Sequence, residues 1–277
     1  MKTGLVKFDE MMGGQFPEGS IGELYGIENC GKTTFAIELT KAFKKPYYLE
    51  YENKFDTEYA EKIGFNCAKF NQPVTFENGI MDFYDKWKKE QWDVLIIDTL
   101  ASAVTQSDLD TPMDDKFISN KAHKISRLCV SWEKTFKRLG VSLIMINHRR
   151  KKFNAPKYGE QFYTPGGDQK NYTCDYRISV SKRKSKIWDD GIIMKLMHKK
   201  IQKFQGECEY TVRWGKGICR NLELYELGVE CGVVKVKGRG GVSFNGEIST
   251  KIELIDKLET DEKLQKMILD AYNKGDK

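Results

Sequence analysis

A chain of 277 residues, 40% hydrophobic and 31% charged, can bury one large core with a modest appendage and does not suggest two equal domains. Its net charge of +6 permits a polyanionic partner without establishing one. The seven cysteines are scattered with no Cys-x-x-Cys pair, which argues against a disulfide framework or a zinc site and fits a reducing, cytoplasmic setting; no secretory leader and no apolar run near the ~20 residues of a membrane span is expected.

In chain order, Ile21-Gly22-Glu23-Leu24-Tyr25 predicts a short strand, followed by a glycine loop and a helix over residues 33–43, where Phe35, Ile37, Leu39 and Phe43 carry the helical spacing. A second strand is expected at 46–51, a helix at 57–63 that stops at Gly64, and another helix at 76–90. Val94-Leu95-Ile96-Ile97 is a continuous apolar run of the kind found in strands buried on both faces. An acidic, turn-rich segment at 106–115, a long helix at 118–139 and a second buried strand at 142–146 come next. The alternation predicts an α/β core with a mostly parallel central sheet flanked by helices.

Residues 148–171 break this pattern into a basic, glycine-rich, aromatic loop, and loops that long in a compact domain are uncommon and usually functional or disordered. Strands at 176–180, 191–197 and 210–214 are expected to extend the sheet in antiparallel fashion. The tail predicts a short helix, a hairpin over 233–244 and a terminal helix over 253–272. The expected division is a large α/β core at 1–216 and a small α+β subdomain at 217–277.

Gly26-Ile27-Glu28-Asn29-Cys30-Gly31-Lys32-Thr33, between a strand and a helix, has the spacing of a phosphate-cradling P-loop. Glycines let backbone N–H groups turn inward toward phosphate oxygens, Lys32 would reach the β and γ phosphates of ATP, and the Thr33 hydroxyl would ligate magnesium. Asp98, at the end of its apolar run, is placed to put a carboxylate beside that ion; the plain alternative is a helix cap. Glu52 lies just past another strand and could polarise an attacking water, but Glu50 shares its facing by alternation and pattern alone does not separate them. Arg149, Arg150, Lys151 and Lys152 lead the long loop, with Phe153, Tyr158, Phe162 and Tyr163 interleaved with Lys157 and glycines. Cations for phosphates and aromatic faces for bases compose a single-strand binding surface, although a cation run is more often a solvated face. Lys182-Arg183-Lys184-Ser185-Lys186 is a second basic cluster that reads equally well as a hairpin tip.

These residues together resemble the RecA family of recombinases, in the branch that includes bacterial RecA and the phage UvsX proteins, in order along most of the chain. Gly19-Ser20-Ile21-Gly22-Glu23-Leu24-Tyr25-Gly26 and the following Glu28-Asn29-Cys30-Gly31-Lys32-Thr33-Thr34 resemble the family's strand and Walker A loop. Glu52-Asn53-Lys54-Phe55-Asp56-Thr57-Glu58-Tyr59 is similar to the segment carrying the catalytic glutamate, which implies that role for Glu52 and base contacts for Asp56 and Tyr59. Trp92-Asp93-Val94-Leu95-Ile96-Ile97-Asp98-Thr99 resembles Walker B, and Ile144-Met145-Ile146-Asn147-His148 the strand ending in a γ-phosphate sensor, with His148 where bacterial RecA has glutamine and UvsX-type proteins have histidine. Thr164-Pro165-Gly166-Gly167 is similar to the glycine pair closing the second DNA-binding loop. His198-Lys199-Lys200 resembles the segment reaching a neighbouring subunit's ATP site; Lys200 is the better match and Lys199 a substitute.

The resemblance implies a DNA-dependent ATPase using ATP and magnesium, binding single-stranded and also duplex DNA, assembling through its ATP interface, and serving homologous recombination, strand exchange or annealing, and DNA repair. The chain enters the core almost at once, without the N-terminal helix and strand by which the family docks onto a neighbour, so filament, ring and monomer all stay open. A hexameric DnaB-type helicase motor and an ATP-gated recombination mediator or regulatory module are the alternative readings.

Overall fold

The computed structural model describes residues 1–110, 117–152, 161–200, 206–238, 241–244 and 247–275, without the side chains of 117–119 and 199–200. The chain divides into two compact units, Met1–Gly217 and Ile218–Lys277.

In the first unit, α1 (Val6–Met11) precedes β1 (Ile21–Gly26), α2 (Lys32–Thr40), β2 (Pro46–Glu50), α3 (Thr57–Lys62), β3 (Lys69–Asn71), α4 (Phe76–Glu90) and β4 (Val94–Asp98). Then come α5 (Gln106–Asp110), α6 (Phe117–Lys134), a 3-10 turn (Lys137–Leu139), β5 (Ser142–His148), β6 (Arg150–Lys151), β7 (Phe162–Tyr163) and α7 (Asp168–Thr173). β8 (Tyr176–Lys184), β9 (Gly191–Lys200), β10 (Glu207–Arg213) and β11 (Gly217–Ile218) finish the sheet where the chain leaves this unit.

Among the described residues the large sheet has nine strands in the order β11-β10-β9-β8-β1-β5-β4-β2-β3. The pairs from β3 through β2, β4, β5 and β1 to β8 are parallel, and β8–β9 and β9–β10 are antiparallel. The core is a mixed α/β structure with a large, mostly parallel central sheet flanked by helices. Buried strands explain the continuous apolar runs: every residue of β4, and all of β5 but His148, is buried. Under one face Trp132 and Phe136 pack with Phe83 of α4, which also meets Tyr47 and Trp92. Each such fully buried side chain contributes about 1.5–3 kcal/mol.

Several elements differ from the sequence reading. Residues 106–110 form α5 rather than turns, because Thr105 N–H donates to Asp108 Oδ2 (2.6 Å) and Asp108 N–H to Thr105 Oγ1 (3.3 Å), a reciprocal cap; 111–116 lie outside the described residues. The long helix ends at Lys134, and the 3-10 turn behind it is closed by Gly140 at φ 77°. The supposed patternless loop holds the ribbon β6–β7 and helix α7. Neither α1 nor β3 is expected from periodicity; α1 is held by Phe8, whose ring packs on Phe16 and Phe35 and whose N–H donates to the Tyr210 hydroxyl at 2.9 Å.

The second unit consists of α8 (Arg220–Glu230), a three-stranded sheet of β12 (Lys235–Lys237), β13 (Gly241–Phe244) and β14 (Glu247–Thr250), and helices α9 (Lys251–Thr260) and α10 (Glu262–Gly275). The expected hairpin gains a third strand. The expected single terminal helix is two, since Asp261 interrupts it and its carboxylate caps the second by accepting Leu264 N–H at 3.0 Å. Among the described residues no helix is long and apolar enough to cross a membrane, and the seven cysteines are thiols rather than disulfides.

Candidate active site

The glycine loop leaves β1 through a tight passage: a Cβ at Gly26 would lie 2.2 Å from Val180 O and 2.9 Å from Cys30 Sγ. Asn29 (φ 54°) and Gly31 (φ 93°) adopt left-handed backbone, which Asn tolerates and Gly permits freely. No side chain caps α2, so its first-turn N–H groups are left for another acceptor, and a helix end of this kind suits an anion. Lys32 is 6% exposed and folds over the loop, its Nζ donating to Ile27 O at 2.7 Å. Glu28 is exposed at the loop tip, while Cys30 is buried and burial raises its thiol pKa. Thr34 Oγ1 lies 3.2 Å from the Tyr59 hydroxyl, and Asp56 caps α3 by accepting Tyr59 N–H at 2.9 Å. Asp56 and Tyr59 thus stand together on the flank of the loop.

The floor of the site is Asp98, whose Oδ2 accepts the hydroxyls of Thr33 and Tyr48, both at 2.7 Å. Oδ1 is buried and has no hydrogen-bond partner. Burial pushes the Asp98 carboxyl up to about 6, against the lowering effect of the two hydroxyls. A buried oxygen without a donor, beside a threonine hydroxyl and a phosphate-type loop, fits a hydrated divalent cation. Tyr48 is a member of the site that sequence reasoning missed: in β2 it reads as a core aromatic, and its polar partner lies fifty positions away.

The rim is built differently. Glu52 Oε1 accepts Thr99 Oγ1 at 2.9 Å and lies 2.8 Å from His148 Nε2, with Ser102 Oγ at 3.4 Å. The His148 contact, then Thr99, hold its carboxyl at about 2 despite partial burial. His148 Nδ1 is buried without a partner. Glu50, which alternation could not distinguish from Glu52, is turned to another task. Its buried carboxylate accepts the N–H groups of Glu52 (2.8 Å), Asn53 (3.0 Å) and Lys54 (3.3 Å) and the Gln72 amide (2.9 Å), closing the turn that presents Glu52.

His148 ends β5, and the basic loop starts at once. Arg149 N–H donates to Gly26 O at 2.9 Å, so the loop's first residue touches the P-loop strand. In the ribbon, Arg150 pairs with Tyr163 and Lys151 with Phe162, and the Arg149 guanidinium lies 4.2 Å from the Phe162 ring centroid. Phe162 and Tyr163 are 37% and 46% exposed. Lys152 joins the ribbon through its N–H to Gln161 O at 2.9 Å. Phe153, Lys157 and Tyr158 lie outside the described residues.

Both feet of this loop rest on Glu23, a fully buried carboxylate of β1. It accepts Asn147 Nδ2 (2.9 Å), Arg177 Nε (2.7 Å) and the ammonium of Lys170, itself fully buried. Burial alone would raise the Glu23 pKa; Lys170 and Arg177 overcome it and hold the carboxyl below its ordinary value. Asn147 also donates to Pro165 O (2.7 Å), and Lys170 and Arg177 to Thr164 Oγ1 (2.9 and 3.0 Å). Gly166 (φ 109°) and Gly167 (φ 79°) then turn the chain into α7, in backbone that favours glycine.

The second basic cluster lies at the end of the β8–β9 hairpin, where Arg183 pairs with Glu209 at 2.6 Å and Lys184 with Asp189 at 3.9 Å. Lys200 ends β9 opposite Arg177 in register, and its side chain, like that of Lys199, lies outside the described residues.

A family model described as the RecA N-terminal domain matches residues 1–219. The chain is 28% identical to Protein RecA of Oleidesulfovibrio alaskensis, over 85% of this chain and 71% of that protein. It is also 28% identical to Protein RecA of Bacteroides thetaiotaomicron, over 98% of this chain and 87% of that protein. With a family model covering most of its length and a glycine loop, a buried strand-end carboxylate and a basic loop that follow the C-terminal ends of the neighbouring strands β1, β4 and β5, the chain belongs to the RecA family.

Proposed function

We propose that this protein is an ATP-hydrolysing, single-stranded-DNA-binding recombinase that serves homologous recombination and repair by strand exchange or annealing, with duplex DNA as a second partner. The observation that carries this reading is the 2.8 Å contact between Glu52 and His148, because it joins the candidate water-orienting carboxylate to the root of the basic loop. In this reading Gly26, Gly31 and the N-terminus of α2 hold the phosphates and Lys32 neutralises them. Thr33 and Asp98 would hold magnesium, which when bound would offset negative charge on the phosphates. Glu28, Asn29, Cys30 and Thr34 shape the loop around the nucleotide, and Asp56 and Tyr59 lie beside its base. Glu52, ionised throughout the neutral range, accepts an O–H of the attacking water and orients it; a carboxyl held at about 2 is suited to orientation more than to full proton removal. DNA on the loop sets the position of His148, and His148 sets Glu52.

Neutralising Arg149, Arg150, Lys151 and Lys152 together should weaken binding to all single strands alike. It should also flatten the log–log salt slope by roughly 0.7 for each phosphate that is no longer neutralised. Phe162→Ala should instead cost about 1–3 kcal/mol of binding with little change in slope, since stacking releases no counterions. Unaltered affinity and slope in the quadruple variant would remove the loop as the DNA site.

Lys200 is proposed to complete a neighbour's ATP site in a head-to-tail assembly. Mixing Lys200→Ala subunits with Lys32→Ala subunits should then restore part of the turnover each lacks alone, and no recovery in demonstrably mixed assemblies would refute the shared site.

A further inference from the structure

Tyr48 sits in the middle of β2 with none of its surface exposed. Its ring packs among Phe55, Phe65 and Phe70 at centroid distances of 5.3, 5.5 and 6.0 Å, and for that packing alone phenylalanine would serve. The hydroxyl is what differs, and a buried phenolic O–H needs an acceptor. It finds Asp98 Oδ2 at 2.7 Å, the same oxygen that accepts the Thr33 hydroxyl at 2.7 Å.

A carboxylate oxygen offers two in-plane lone pairs. Two O–H donors therefore saturate Oδ2, while Oδ1 of the same group is buried with no partner at all. Were only one donor present, the carboxylate plane could swing about its last side-chain torsion and carry Oδ1 off its present direction, because that torsion is broad. A threonine hydroxyl that ligated a cation through its oxygen would keep its proton for Asp98, but a single donor leaves the carboxylate plane free to swing about it.

We propose that Tyr48 is a positioning residue of the cation site: its hydroxyl locks the Asp98 carboxylate with Oδ2 committed to the protein and Oδ1 left as the acceptor for the ion or a water bound to it. This rests on the assignment of Asp98 and Thr33 to the magnesium side of the nucleotide. Partners that orient a metal-binding group commonly contribute 10–100-fold to metal affinity. Here the effect lies in affinity rather than in the chemical step, because Tyr48 orients Asp98 from within the core.

The test is a titration of the full-length protein with manganese in the presence of ADP, following free Mn²⁺ by electron paramagnetic resonance, for the parent, Tyr48→Phe and Asp98→Asn. Tyr48→Phe should raise the manganese dissociation constant about 10-fold. The loss should be larger in metal affinity than in turnover at saturating metal, a split between binding and rate that general loosening of the core would not produce. Replacing Tyr48 by 4-aminophenylalanine, which restores a donor, should recover the affinity. Replacement by 4-fluorophenylalanine, close to tyrosine in bulk but without a donor, should not, and this pair carries the comparison should Tyr48→Phe fold poorly. If Asp98→Asn binds manganese as the parent does, the cation assignment itself fails. If Asp98→Asn loses the metal while Tyr48→Phe and the fluorinated variant keep parental affinity, the role of Tyr48 is overturned and the cation assignment stands.

Discussion

The floor and the rim of the candidate site each hold one carboxylate, and the protein treats the two in opposite ways. Asp98 is buried at the end of the interior strand β4 with one oxygen saturated and the other without a partner, and its carboxyl is pushed up to about 6. Glu52 is partly exposed, is held by Thr99 and His148, and its carboxyl is drawn down to about 2. The contrast teaches that distance from solvent alone does not set the charge of a site. The floor keeps one buried oxygen without a donor, and the rim is held by a side chain at the root of the basic loop.

The largest expected effect separates the rim glutamate from its neighbour in sequence. Glu52→Gln should lower kcat by about 100-fold or more with nucleotide affinity within a few-fold, since it removes an interaction needed only for the chemical step. Glu50→Gln should do the reverse. It places an amide among backbone N–H donors, costs about 1–3 kcal/mol in urea unfolding, and leaves kcat of the folded fraction close to the parent. A reversed pattern would mean that Glu50 carries the chemistry.

A smaller effect sharpens the account of the floor. The folded-state value of Asp98 lies above its ordinary 3.8, so folding favours the protonated acid. That stabilisation is full below about pH 3.8 and is lost as pH rises through 6. Without metal and nucleotide, Asp98→Asn should therefore be more stable than the parent at pH 7–8, on the order of 2–3 kcal/mol, and the advantage should vanish toward pH 4. Magnesium and nucleotide should reverse the order by stabilising only the parent. A pH-independent difference between the two metal-free proteins would contradict the buried, uncompensated floor.

Much of this was legible because it is local. The spacing of Gly26, Gly31, Lys32 and Thr33 and the apolar run before Asp98 mark the phosphate loop and the strand end without any tertiary information. So do the order of strands and helices and the cations after His148. What escaped depends on pairs distant in sequence. Tyr48 joins Asp98 across β2 and β4, and Lys170, an apparently ordinary helix lysine, is buried against Glu23 across 147 positions. Glu50 and Glu52 share a facing by alternation, and only the turn after β2, with Asn53 at φ 55°, directs them apart. Helix α1 and strand β3 are too short for periodicity to register and are held by tertiary packing.

The central claim is that the DNA loop acts on hydrolysis through His148, and steady-state ATP turnover with and without single-stranded DNA tests it most directly. The parent should be stimulated by DNA. His148→Ala should keep its DNA affinity within a few-fold while losing most of the stimulation over its own basal turnover, because Glu52 no longer answers to the loop. Stimulation by the same factor in both proteins would contradict the account.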